Sequence, residues 1–498
     1  MYYLIGIIVL FAVYKLVNYF QVRQFKKSHH CEDPYKVHNK WFGIPAIFEV
    51  MESRERGEFI SEPKDMYLET FQVNMAGSEF ITTKDPTNIK ALLSTQFEDF
   101  SIGKRHAFLN PLLGDSIFTL DGPRWRHSRN FLRPQFSRES VSHTESLEHH
   151  VQTLLQLIKA ENGKTFDFQR MIARFTLDTA TAFLFNHSVN SMYDEDLKIG
   201  DPPNEEDDVV CTGQEFFKAF ETAGDILSKR SMAQSFYFLV DGKEFRNAIK
   251  TIQNVAEFYV DKALNLTEQQ LNENKRYTIL TELVKITRDR KVLKDEILSM
   301  LLAGRNTTSS SISFLIYELA QNPQIYQKLR NKILEAFGPE GKPTFESLKR
   351  CEYLKNVVSE ILRLYPTVPL NLKCATKKTT LPRGGGDDES SPIFIDKGTS
   401  VVYRTFDLHR QEKYFGSEPD KFIPERWDNL KKVGWAYIPF NGGPRICLGQ
   451  QFALTEISYV ITRLCQTFEH ISTKQEYPPK MRITLILNLK DGAQVSFT

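Results

Sequence analysis

The sequence predicts a mainly α-helical protein with a minor β portion, preceded by a single N-terminal membrane-spanning helix. Three observations carry that reading: an uncharged apolar run at residues 2–14, long stretches with apolar residues three and four apart, and one short alternating segment at 70–83. With 41% hydrophobic and 25% charged residues among 498, the chain can bury a large core and is neither disordered nor collagenous. Lys plus Arg at 64 against Asp plus Glu at 62 leaves a net charge of +2, no electrostatic footprint for nucleic acid.

Taken in order, the run YYLIGIIVLFAVY continues past Lys15 through Leu16, Val17, Tyr19 and Phe20, which approaches the roughly 20 residues that a spanning helix needs. Lys15 lies near one end, where its amine can snorkel to the headgroups. Arg23, Lys26 and Lys27 come next, which places the rest of the chain on the cytosolic side. A cleaved secretory signal would carry its positive charge before the apolar run and a small-residue cleavage site after it. The expected division is therefore an anchor at 1–22, a basic and polar linker at 23–45 that passes Trp41 and Pro45, and one body at 46–498. Within the body, TFQVNMAGSEFITT at 70–83 predicts a hairpin, while 146–159, 214–227, 248–264 and 295–322 predict helices, the last stopped by Pro323. Residues 196–210 read as a solvated acidic loop, and LPRGGGDDESSPIF as an irregular insertion ending near 394.

Six cysteines (Cys31, Cys211, Cys351, Cys374, Cys447 and Cys465) show no CxxC pair, which argues against a disulfide framework or a zinc cluster and for a reducing compartment. Cys447 alone sits in a glycine-rich loop with a basic residue, Phe440-Asn441-Gly442-Gly443-Pro444-Arg445-Ile446-Cys447-Leu448-Gly449. Such glycines let the backbone pass close to a bulky planar group and aim amide N–H groups at the sulfur, favouring the thiolate. Arg445 suits a carboxylate on that group, and the helical run QQFALTEISYVITRL starts just after the sulfur. The bland alternative is a structural cysteine beside a glycine turn. Five fixed positions, F-x-x-G-x-R-x-C-x-G, coincide by chance on the order of 10⁻⁴ times in a chain of this size, so the functional reading prevails.

This loop resembles the haem-binding signature of the cytochrome P-450 family of haem-thiolate monooxygenases, with Phe440, Arg445 and Cys447 at its fixed positions. Other segments resemble the family in the same order. Trp125 and Arg129, one helical turn apart, are similar to its W-x-x-x-R, which implies a pair binding a haem propionate. Lys373, in Asn371-Leu372-Lys373, occupies the place of a propionate-binding arginine, keeping the charge without the bidentate fork. Glu360-Ile361-Leu362-Arg363 looks like E-x-x-R and Pro424-Glu425-Arg426-Trp427 like the motif that completes its network, so Glu360, Arg363 and Arg426 are expected to be buried together. Ala303-Gly304-Arg305-Asn306-Thr307-Thr308 resembles the oxygen-activation motif A-G-x-D/E-T-T, with Asn306 in place of the usual carboxylate. Six consecutive amide or hydroxyl side chains from Asn306 to Ser311 are poor helix formers inside a core helix, and such a conflict marks function. Asparagine positions water but cannot pass on a proton by its own ionisation, and burial would raise the pKa of an aspartate placed there.

The resemblance implies a haem b cofactor with Cys447 as axial ligand, catalytic roles for Thr307 and Asn306, and haem contacts from Phe440, Arg445, Trp125, Arg129 and Lys373. It further implies a cytochrome P-450 fold, location at the endoplasmic reticulum membrane, and electrons from NADPH through a separate NADPH-dependent cytochrome reductase, no flavin or nicotinamide fingerprint being present. The implied reaction splits dioxygen with two electrons and two protons and inserts one oxygen atom into an unactivated C–H bond. FSIGKRHAFLNPLLGDSIFTLDGPRWRHSRNFLRPQF and PFNGGPRICLGQQFALTE look like the fungal branch that hydroxylates n-alkanes and fatty acids near a chain end. Phe108, Leu112, Leu113, Ile117 and Phe118 are candidate apolar lining, and Arg124, Arg126, Arg133, Lys431 and Lys432 a candidate reductase surface. The alternatives are a haem-dependent lipid isomerase or dehydratase, which needs no outside reductase, and a non-catalytic haem or lipid-binding protein.

Overall fold

A computed structural model describes residues 2–37, 43–58, 68–75, 78–136, 144–193, 210–273, 278–430 and 433–498. The apolar N-terminal run forms α1 (Tyr2–Ser28), with Lys26 and Lys27 in its last turn, where cations favour the helix dipole. Among the described residues it is the one helix long and apolar enough to cross a membrane. The helix runs past the expected anchor boundary, and Phe25 near its end packs edge-on against Phe394 at 5.4 Å. The expected linker is tied to the body as well: Glu32 donates its N–H to the Pro392 carbonyl at 2.9 Å, and Tyr35–Lys36 forms β1. Two residues are too few to show an alternating pattern, so this strand left no signal in the sequence. Trp41 lies outside the described residues, as does 196–209 of the expected acidic loop.

β1 pairs in parallel with β2 (Thr70–Met75), and β2 pairs antiparallel with β3 (Ser78–Thr83), Thr70 opposite Thr83 and Met75 opposite Ser78. That is the hairpin the alternation predicts. Farther along the chain come β4 (Phe100–Ser101), β5 (Asn371–Ala375), β6 (Thr379–Gly385), β7 (Ser391–Ile395) and β8 (Ser400–Tyr403). The largest sheet has the order β1-β2-β3-β8-β5-β4. The expected irregular insertion is instead the antiparallel pair β6–β7. Its glycines mark close approach: a Cβ on Gly385 would lie 2.8 Å from the Glu32 carbonyl oxygen, and one on Gly384, at φ +115°, 2.6 Å from the Thr70 side chain.

The principal helices of the body are α2 (Arg105–Leu113), α3 (Gly122–Leu132), α4 (Thr144–Ala160), α5 (Phe168–Phe185), α6 (Gly213–Met232), α7 (Lys243–Leu264), α8 (Arg290–Gln321), α9 (Glu352–Leu364) and α10 (Gln450–Thr467). The four predicted helical stretches are thus α4, α6, α7 and α8, each extended at one or both ends. Asp289 starts α8 by accepting from the Lys291 and Val292 N–H groups at 2.9 and 3.1 Å, satisfying donors that a helix start leaves free. Its polar middle stays helical because hydroxyls bond back to carbonyls of the preceding turn: Thr307 to Ala303 at 2.8 Å, Ser309 to Asn306 at 2.9 Å, Ser311 to Thr307 at 3.1 Å and Ser313 to Ser309 at 2.6 Å. α8 lies at the centre. Its C-terminal half joins α4, α5, α9 and α10 in one apolar cluster, and its N-terminal half joins α2, α6 and α7 in another.

Candidate active site

The Cys447 loop enters from a segment fixed to α9. Glu360 and Arg363, both without exposure, form a two-point ion pair at 2.9 Å on each arm. Glu360 also accepts from Arg426 Nε at 2.8 Å, Trp427 Nε1 at 2.9 Å and the Ile423 N–H at 3.0 Å. Arg363 in turn donates to the His409 and Pro419 carbonyls at 2.9 and 2.7 Å. The three residues expected to be buried together are so. His409 takes the Ile438 N–H on its Nε2 at 2.9 Å, and burial drives its pKa down to about 3, leaving a neutral ring that can accept. These bonds hold the strand of chain that leads into Phe440.

Within the loop, the Cys447 N–H donates to the Phe440 carbonyl at 3.0 Å, closing the turn. Gly443 has φ +65°, and a Cβ there would lie 1.7 Å from the Leu93 carbonyl oxygen, while one on Gly442 would lie 2.4 Å from the Trp435 ring. Both glycines are therefore required by close protein neighbours, a physical reason different from the cofactor approach that the sequence pattern first brings to mind. Cys447 is accessible by surface area yet surrounded by protein, the description of a sulfur facing an internal recess. Burial pushes its thiol pKa up, against the Gly449 N–H and the Arg129 guanidinium, which lower it. Of these opposing effects burial is the largest, so the Gly449 amide and Arg129 offset only part of the rise.

At this loop the structure gathers Arg445 of the loop itself and cations from three other segments. Arg445 donates to Asp121 Oδ1 at 2.7 Å and to the Leu120 carbonyl at 2.8 Å, and its guanidinium lies 4.2 Å from the Trp125 ring. Arg129 donates to the Ile446 carbonyl at 2.9 Å. Lys373, only 3% exposed, leaves its Nζ without a hydrogen-bond partner among the described residues, and Arg445 leaves its Nε so. Burial, with repulsion from Arg445 and Arg105, brings the Lys373 pKa down to about 7. Arg105, which belongs to none of the sequence motifs, donates to Asn371 Oδ1 at 2.6 Å and acts electrostatically on both Lys373 and Arg445. Among the described residues, Asp121 is the carboxylate that acts on Arg105, Lys373 and Arg445. Buried cations with orphaned N–H groups beside a recessed cysteine are what a group with two carboxylates and a thiolate-binding metal requires. The residues fit haem.

The model of the family described as Cytochrome P450 matches residues 37–497. This chain belongs to the cytochrome P450 family. Cytochrome P450 52A13 of Debaryomyces hansenii is 46% identical, with 97% of this chain and 96% of the relative covered. Cytochrome P450 52A3-B of Candida maltosa is 49% identical over 94% of this chain and 91% of its own, and Cytochrome P450 52A6 of Candida tropicalis 48% over 96% and 93%. Among solved structures, the cytochrome P450DA heme domain superposes with a TM-score of 0.73 at 20% identity, covering 94% of this chain and 96% of that one, which shows the fold. This P450 is accordingly a monooxygenase that binds haem through a cysteine thiolate and takes its electrons from a reductase.

In α8 the residues from Thr308 to Ala320 are buried, but Ala303, Gly304, Asn306 and Thr307 are half-exposed. Thr308 and Thr179 of α5 bond to the fully buried Glu456 of α10, Thr179 at 2.7 Å. α8 is thereby attached to the helix that begins three residues after Cys447. Of the candidate lining residues, Leu112 and Leu113 belong to the apolar core, Phe108 is also buried, and Ile117 and Phe118 are half-buried against that core. Arg124 and Arg126 pair with Asp115 and Glu98, while Lys431 and Lys432 lie outside the described residues.

Proposed function

We propose that this P450 hydroxylates long-chain apolar substrates, n-alkanes or fatty acids, at or near the chain end. The observation that carries the reading is the cation cluster around Cys447 together with the half-exposed Asn306-Thr307 turn of α8. Bound haem supplies the activation of dioxygen and the insertion of one oxygen atom into a C–H bond. In this reading Arg445, Arg129, Trp125 and Lys373 hold the propionates, the Phe440 carbonyl fixes the Cys447 loop, and Ile117 and Phe118 bound the apolar space. Thr307 and Asn306 hold water and pass protons into the site. Residues 1–22 anchor the body, 46–498, by a single span to the endoplasmic reticulum membrane on the cytosolic side, with 23–45 as the connection. An NADPH-dependent cytochrome reductase in the same membrane is the electron donor.

The test is turnover of the full-length protein with reductase, NADPH and a panel of alkanes, fatty acids and sterols. Terminal or near-terminal alcohols that require both NADPH and reductase are expected. Product formed without either electron source would replace this reading with an isomerase or dehydratase, and hydroxylation confined to sterols would remove the substrate assignment.

A further inference from the structure

Position 306, where the chain departs from its family's carboxylate, is controlled by its neighbour. Arg305 is 4% exposed and lies against two aromatic rings of α6, 4.7 Å from the centroid of Phe217 and 5.6 Å from that of Phe220. Its Nη1 donates to Asn306 Oδ1 at 2.9 Å, and its Nε is buried without an acceptor among the described residues. Glu221, the carboxylate that acts on it electrostatically, is exposed and not in contact. A buried guanidinium with so few acceptors is costly, yet here it has one definite consequence. Guanidinium nitrogens only donate, so the Asn306 atom facing Arg305 must be the carbonyl oxygen. The amide NH₂ is thereby turned away from Arg305, on a residue that is itself half-exposed beside Thr307. Thr307 gives its hydroxyl proton to the Ala303 carbonyl at 2.8 Å, which leaves its oxygen as an acceptor.

We propose that Arg305 is a positioning residue for oxygen activation: it locks the Asn306 amide so that α8 offers the reaction site one fixed donor, Asn306 Nδ2, beside one fixed acceptor, Thr307 Oγ1. A single water that receives from the amide and donates to the threonine matches that pair, and an amide free to turn would offer two acceptors half the time. The proposal rests on the reading of Asn306 and Thr307 as lining the oxygen side of the haem. It also changes what an aspartate at 306 does. Beside the guanidinium, its carboxylate would remain ionised and paired, presenting oxygens alone, despite the burial that by itself raises such a pKa.

The full-length haem protein tests this without turnover, through the infrared C–O stretch of its ferrous carbonyl complex, which falls when an N–H group faces the bound ligand. One narrow band is expected. Arg305→Met keeps the volume and removes a buried charge, so it is expected to load haem and to show a second band at higher frequency from the turned amide. Arg305→Lys, which keeps the charge without the planar fork, is expected to show the same splitting and decides the matter if the methionine variant loads no haem. Asn306→Asp is expected to give one band shifted to higher frequency. A single unshifted band in both Arg305 variants, with Asn306→Asp shifted, overturns the role of Arg305 while leaving the site assignment standing. An unshifted band in Asn306→Asp, together with unchanged product yield per NADPH in Thr307→Ala, overturns the assignment itself.

Discussion

Glu360 shows how much one carboxylate organises: it accepts from Arg363, Arg426, Trp427 and the Ile423 backbone, all at 2.8–3.0 Å. Glu360→Gln removes the negative charge that pairs with two guanidiniums, and breaking a buried pair from one side costs about 3–5 kcal/mol. The variant is expected to be recovered with little haem and a lowered melting temperature, read from the haem-to-protein ratio and a thermal melt; full haem content would contradict the role. Residues of this kind were legible because their spacing is short: Glu360 and Arg363 lie one helical turn apart, and Arg445 and Cys447 share a loop. Arg105 and Asp121 were not, since their partners come from Asn371 and Arg445, more than 260 and 320 residues away. Nor does any local pattern show Arg305 bonding to Asn306, because the rings that hold it belong to α6.

At the scale of elements, α5, α8 and α10 meet at Glu456. Burial raises its carboxyl from 4.5 to about 7, against bonds from Thr179 and Thr308 that lower it. A folded pKa above the unfolded one means that its contribution to stability is full below about pH 4.5 and lost as the pH rises through 7, a change of about 3 kcal/mol at 1.36 kcal/mol per pKa unit. Glu456→Gln is expected to flatten the fall in melting temperature between pH 5 and pH 8; an unchanged slope would place that titration elsewhere. The anchor gives a second test. Deleting 1–22 leaves the Phe25–Phe394 contact, the cation cluster and the Cys447 loop in place, so the truncated protein is expected to keep its haem spectrum and leave the membrane fraction in large part. Exposed Phe236, Phe238 and Leu239 supply residual association; loss of haem in a folded truncation would contradict the separation. Long amphipathic helices and the 70–83 hairpin were legible from periodicity, whereas β6–β7 was not, because glycines placed for close approach look the same in a sequence as glycines placed for irregular loops.

For the whole molecule, the cation cluster at the Cys447 loop draws on segments far apart in the chain: α2 and α3, β5 and the loop before α10. The near-neutral charge and the apolar helix α1 fit a body held at a membrane rather than on nucleic acid. All of this serves the claim that Cys447 supplies a thiolate to haem iron. The reduced carbonyl spectrum measures that bond directly. The wild-type protein is expected to show the strongly red-shifted Soret band of thiolate-ligated haem and Cys447→Ala none of it, whereas a red-shifted band that persists in the alanine variant would contradict the account.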